Sequence, residues 1–232
     1  MRIANLASLV TVFLLGTVLV AQDDDKLLSG PLPGKFIPAP FECMNINGPA
    51  TGRPRCLVCK FALSPAVLVF AKDPADTLSP FNWTSSSGGD DALNEFLKQL
   101  DEAMADFHEE RGFSVGVIFL SSAARDSTNN VAETKSAEII REAMNREKLT
   151  KRLSERAKNL KHVVIGYYLS EGPKGFDINP KAEQTVIYYE RMKVLENWTY
   201  APEQLDAKHI EAMVKRIRDT LPTKKKPAEV KG

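Results

Sequence analysis

Six consecutive residues, Ala66–Ala71, read AVLVFA, apolar whichever way successive side chains point. A run this short, rich in β-branched residues and greasy on both faces predicts a central strand covered from two sides, as in sheets with parallel crossovers. The following patterns supply the covering layers. From Asp90 onward, Leu93, Phe96, Leu97, Leu100, Met104 and Phe107 recur at intervals of three and four. That spacing predicts an amphipathic helix capped by Asp90 or Asp91. FSVGVIFL (Phe113–Leu120) predicts a second buried strand, and HVVIGYYL (His162–Leu169) a third. Between them the polar stretch Asn130–Leu160 places Ile140, Met144, Leu149, Leu153 and Leu160 for one or two surface helices. TVIYY and KVLENWTY flank Glu190–Met192 as an antiparallel hairpin, and Ile210, Met213, Val214, Ile217 and Leu221 stripe a last helix. This order predicts an α/β fold: a central mixed sheet with parallel βαβ connections first and a C-terminal β-hairpin plus helix.

The ends of the chain carry different chemistry. Residues 1–21 hold Arg2, an apolar run from Leu6 to Val20 and then Ala21 before an acidic cluster, the outline of a secretory signal peptide. The run is short for a bilayer span, so no stable membrane insertion is expected once the signal is cleaved. Residues 22–40, with Pro31, Pro33, Pro38 and Pro40, read as a Pro-rich linker, residues 41–221 as one domain, and residues 222–232, with Lys224–Lys226, as a basic flexible tail. Without the signal the chain has thirty basic and thirty acidic side chains. A nucleic-acid binder carries a clustered basic excess, so that class of partner is not expected. The leader places the protein outside the cytoplasm, secreted or at the cell envelope, where cysteines tend to be paired.

The stretch NINGPATGRPRCLVCKFALSPAVLVFAKD, the strand–helix–strand after it, and QTVIYYERMKVLENWTYAPEQLDAKHIEAMVKRI resemble the thioredoxin-like superfamily over about Asn47 to Leu221. The likeness is to its peroxiredoxin-like members and to exported thioredoxin-like proteins of uncharacterised role. It implies a thioredoxin-like fold and thiol–disulfide chemistry, with protein thiols or disulfides, or an envelope protein, as partners. It also implies Cys56 as nucleophile and Cys59 as the resolving thiol. The chain departs from the pattern in three places. The two-cysteine motif precedes the central strand instead of following it. Gln184 stands where such proteins have a cis-proline, and Lys72, Asp73, Pro74 and Ala75 follow the strand with no cysteine. Six strand residues span about 20 Å, so Lys60–Pro65 bridge that length only when nearly extended. The pair is therefore expected to enter from the far end of the sheet, away from any helix start that sharpens a thiolate.

Taken by themselves, Cys56 and Cys59 fit an exchange-active disulfide, a structural staple, or a metal or interaction role. Arg53, Arg55 and Lys60 flank them and would lower a thiolate pKa on close approach. Cys43 makes the count odd, and twelve intervening residues permit Cys43–Cys56 or Cys43–Cys59 as well as Cys56–Cys59. No metal is expected: His108, His162 and His209 lack ligand spacing to the cysteines, and four ligands are wanted for zinc. No cofactor is expected either. Lys60 replaces the histidine that haem attachment needs, and SSSGGDD (Ser85–Asp91) lacks the lysine of a phosphate loop. Asn82-Trp83-Thr84 and Asn197-Trp198-Thr199 match the glycosylation acceptor pattern, effective only in a host that uses it. Trp83 lies in a loop at the end of the central strand, where this fold commonly binds substrates. Oligomeric state is not legible.

Overall fold

The structure, a computed structural model, describes residues 27–77, 88–128 and 135–221. The elements are β1 (Cys43–Asn45), β2 (Pro54–Arg55), α1 (Leu57–Phe61), β3 (Ala66–Lys72), α2 (Pro74–Thr77), α3 (Gly88–Arg111), β4 (Ser114–Ser121), α4 (Ser136–Ala157), β5 (Val164–Leu169), β6 (Gln184–Glu190), β7 (Lys193–Tyr200) and α5 (Ala207–Thr220). The seven strands form one sheet in the order β2-β1-β5-β4-β3-β6-β7. β3, β4 and β5 run parallel, while β6 pairs antiparallel with β3 and β7 with β6. A parallel β3–α3–β4 unit followed by the β6–β7 hairpin and a closing helix is the thioredoxin-like arrangement. β1 and β2 extend it antiparallel beyond β5.

AVLVFA occupies the middle for the reason its composition implies. Ala66 through Ala71 are all within 1% of complete burial. Val67, Val69 and Ala71 face a core shared with α3, α4 and α5, to which Phe96, Leu100, Leu149, Leu153, Ile210 and Ile217 contribute. Leu68 and Phe70 face a second core formed with α1 and the loops carrying Phe41 and Phe176. In that second layer Phe41, Phe70 and Phe176 meet with ring centroids 5.2–5.9 Å apart.

Several local expectations are corrected. α3 begins at Gly88, which places Asp90 and Asp91 inside its first turn and not ahead of it. α4 is a single helix in which Leu149 and Leu153 are buried but Ile140 and Met144 remain exposed, because its first turns project beyond the core. The stretch read as a linker is, from residue 27 on, not a free tether. It lies along the outer edge of β7. There Gly34 donates to the Val194 carbonyl, Val194 to Lys35 and Ile37 to Met192. Asn197 Nδ2 donates to the carbonyls of Ser29 and Pro31 at 2.8 and 2.9 Å. Residues 1–21, which the sequence suggests as a signal peptide, Asn82, Trp83 and the Lys224–Lys226 run lie outside the described residues.

Candidate redox site

β2 is only two residues long, and Cys56 follows it directly at the sheet's outer edge. The backbone then turns into α1. Cys56, at φ −78° and ψ 107°, is the helix's N-cap, and its Sγ accepts the N–H of Cys59 at 3.0 Å. Serine or aspartate usually supplies this contact, satisfying an otherwise unpaired first-turn amide. One turn on, Cys59 returns to the same side, its Cα 5.3 Å from that of Cys56, and the two sulfurs are joined in a disulfide. Cys56 is partly buried and Cys59 is exposed.

Two glycines let α1 and β1 lie close against the sheet. A Cβ on Gly116 of β4 would stand 2.8 Å from Leu57 Cδ1 and 3.1 Å from Phe61 Cε2. One on Gly166 of β5 would stand 3.0 Å from both Cys43 Sγ and the Met44 carbonyl oxygen. Leu57, Val58 and Phe61 are thereby buried, while the cysteine face of the helix turns outward.

Cys43 is not part of the disulfide. It is fully enclosed, with its thiol 3.5 Å from Asn45 Oδ1 and 3.6 Å from the Arg55 carbonyl oxygen. Burial pushes its pKa up to about 12, against a smaller opposing effect of its own backbone. This sulfur stays a neutral thiol. Lys60 is shifted the other way: partial desolvation first, and the positive charge of Arg55 second, lower its pKa. Its ammonium lies 5.9 Å from the centre of the Phe61 ring. Arg53 and Arg55 are exposed.

The expected entry from the far end of the sheet is replaced by a lateral displacement. β1, β5 and β4 separate β2 from β3, which at about 4.8 Å per strand sets the motif's edge roughly 19 Å from β3. The pair does open a helix, though one of five residues. The physical reason is the path of the chain: α1 crosses the face over Gly116, and Ala62, at φ 49°, turns it into β3 without the extended strap that the length argument required. No cis peptide bond occurs among the described residues, and Gln184 is a buried residue of β6 opposite Ala71.

At the C-terminal end of β3, where the sequence has no cysteine, a polar network stands instead. Asp73 accepts from Ser121 Oγ at 2.8 Å and from Arg152 at 2.6 Å, and Asp76 accepts from the backbone and hydroxyl of Ser122. These contacts tie the end of β3 to β4 and α4. Sequence reasoning passed over this cluster, and a strand ending in an aspartate beside a serine-ending neighbour is too weak a signal to find it. Of the histidines, His162 leads into β5 with its N–H on Asp101, and His209 pairs with Asp206 at 2.7 Å. The described residues contain no cluster of three or more potential metal ligands, and no described helix is long and apolar enough to cross a membrane.

Among solved structures, the chain is similar to an uncharacterized conserved protein from Geobacillus kaustophilus, with 14% identity, 86% of this chain and 91% of that one covered, and a TM-score of 0.46. A protein from Chlorobium tepidum assigned as thiol:disulfide interchange protein DsbE aligns at 14% identity over 84% of this chain and 99% of that one, with a TM-score of 0.43. A Plasmodium vivax 2-Cys peroxiredoxin does so at 13% identity over 82% and 98%, with a TM-score of 0.44. No family model and no curated relative matches. At such distances the likenesses carry no argument about activity. The fold assignment stands on the strand order itself.

Proposed function

We propose that the protein is an exported thiol–disulfide exchange protein acting through Cys56 and Cys59. The observation that carries this reading is the disulfide itself, placed on the outward face of a helix start with one sulfur exposed and the other held by an amide. An accessible disulfide can be attacked by a thiolate, and an amide that stabilises the departing sulfur lowers the barrier to opening. Protein thiols or disulfides are the partners that chemistry serves. The leader at residues 1–21 supports a site of action outside the cytoplasm. The test is the reduction potential of the Cys56–Cys59 couple, together with the rate of insulin reduction. A potential above about −300 mV with turnover supports the reading, and a lower potential without turnover defeats it.

A second reading is favoured by the lateral displacement of the pair and by the Asp73–Ser121–Arg152 network at the end of β3. It makes the protein a catalytically silent thioredoxin-like module that binds a partner at the envelope and keeps the disulfide as a staple. It predicts that a Cys56→Ser, Cys59→Ser double variant retains its partner in a pull-down. Loss of capture by a folded double variant counts against it.

A further inference from the structure

Two cysteines in one disulfide are not equivalent to an incoming thiolate, and here the asymmetry is visible. Cys59 is exposed, whereas Cys56 is partly buried against the core that contains Cys43, Leu57 and Phe61. The Cys59 N–H points at Cys56 Sγ from 3.0 Å, within a single helical turn. A sulfur that is less exposed and already holds a donor is suited to leave. One that is easy to reach and lacks that donor is suited to be attacked. We infer that the exchange order is the reverse of the one the sequence resemblance implies: Cys59 forms the mixed disulfide with the partner, and Cys56 is the leaving and resolving thiol.

This inference rests on the exchange function proposed above. In the reducing direction, a partner thiolate attacks Cys59 Sγ. The Cys56–Cys59 bond breaks, and Cys56 departs with the bonding electron pair as a thiolate that accepts the Cys59 N–H. The partner sulfur and Cys59 are now joined. A second thiolate of the same dithiol partner attacks the partner sulfur in that bond, so the partner leaves as a disulfide and Cys59 as a thiolate. Two electrons pass from the dithiol to the protein. In the oxidising direction, Cys59 attacks the partner disulfide and Cys56 closes the ring. Cys43 takes no part, because its enclosed thiol has no route to solvent.

The experiment uses glutathione as probe on the oxidised full chain without its leader. Brief reaction, acid quenching and fragmentation mass spectrometry of the peptide spanning Cys56–Lys60 then locate the adduct. The expected result is at least tenfold more glutathione on Cys59 than on Cys56. As a second measurement, glutathione disulfide should modify the Cys56→Ser variant at Cys59 at least tenfold faster than it modifies the Cys59→Ser variant at Cys56. Adducts equally distributed, or mainly on Cys56, overturn the order while leaving exchange intact. A bond that yields no adduct at either sulfur overturns the exchange function and the order with it.

Discussion

At the scale of single residues, burial sets both chemistry and pH dependence. Cys43 keeps its proton in the folded protein up to about pH 12, whereas the unfolded chain loses it near the ordinary thiol value of 9.0. Between those limits the unfolded state binds fewer protons, so stability falls as pH rises, by up to about 1.4 kcal/mol per pH unit from this thiol. Tyr200, pushed up to about 12 chiefly by burial and then by Asp206, acts in the same sense above its ordinary value of 10.0. Urea midpoints measured from pH 8 to 11 should decline steadily, and a Cys43→Ala variant should decline less. Asn197 shows a second residue-scale effect. Its amide spends two N–H donations on the carbonyls of Ser29 and Pro31. Asn197→Ala leaves both carbonyls without that donor and should cost about 1–3 kcal/mol in equilibrium unfolding. The same commitment bears on the acceptor sequence Asn197-Trp198-Thr199, since a glycan attached to that nitrogen competes with the contacts that hold the strap.

Elements show where close approach was required and what the sequence disclosed of it. Gly116 admits α1, so Gly116→Ala should push Leu57 and Phe61 off the sheet and cost about 1–3 kcal/mol. Because α1 carries the disulfide, the variant should also be reduced faster by dithiothreitol; an unchanged reduction rate would show that α1 does not shield the bond. β3, β4, β5 and the hairpin were legible because each is long enough for burial on one or both faces to show as a pattern. β1 and β2, with three and two residues, are shorter than any period that can be recognised, and Pro54 discourages a strand reading. α1 was missed for a related reason: cysteine is an unusual N-cap, and five residues do not establish helical periodicity. A signal did exist. FSVGVIFL and HVVIGYYL each carry a glycine in mid-strand, and such glycines mark places where another chain segment comes close. The helix stripe through Ile140 and Met144 misled in the opposite sense, since periodicity continues along α4 past the point where the core ends.

For the molecule as a whole, the disulfide contributes little to holding the fold. Closing a ring of four residues removes roughly 2 kcal/mol of chain entropy from the unfolded state, while neither cysteine of the bond is among the fully buried residues of the two core layers. Reduction should therefore lower Tm by about 4–8 °C in calorimetry and leave the circular dichroism spectrum intact. Collapse on reduction would instead mark the bond as a fold requirement. The strap along β7 bears on solubility. β7 is an outermost strand, and on its outer side the carbonyl and N–H of Val194 are engaged by Gly34 and Lys35, while Ile37 donates to Met192 just before the strand. A shortened chain starting at residue 41 would free the Val194 end of this edge to add a strand from a neighbour. The stretch Gly34–Ile37 thus acts as an inbuilt guard against self-adhesion, closing the first part of that edge with the molecule's own backbone before another copy can do so.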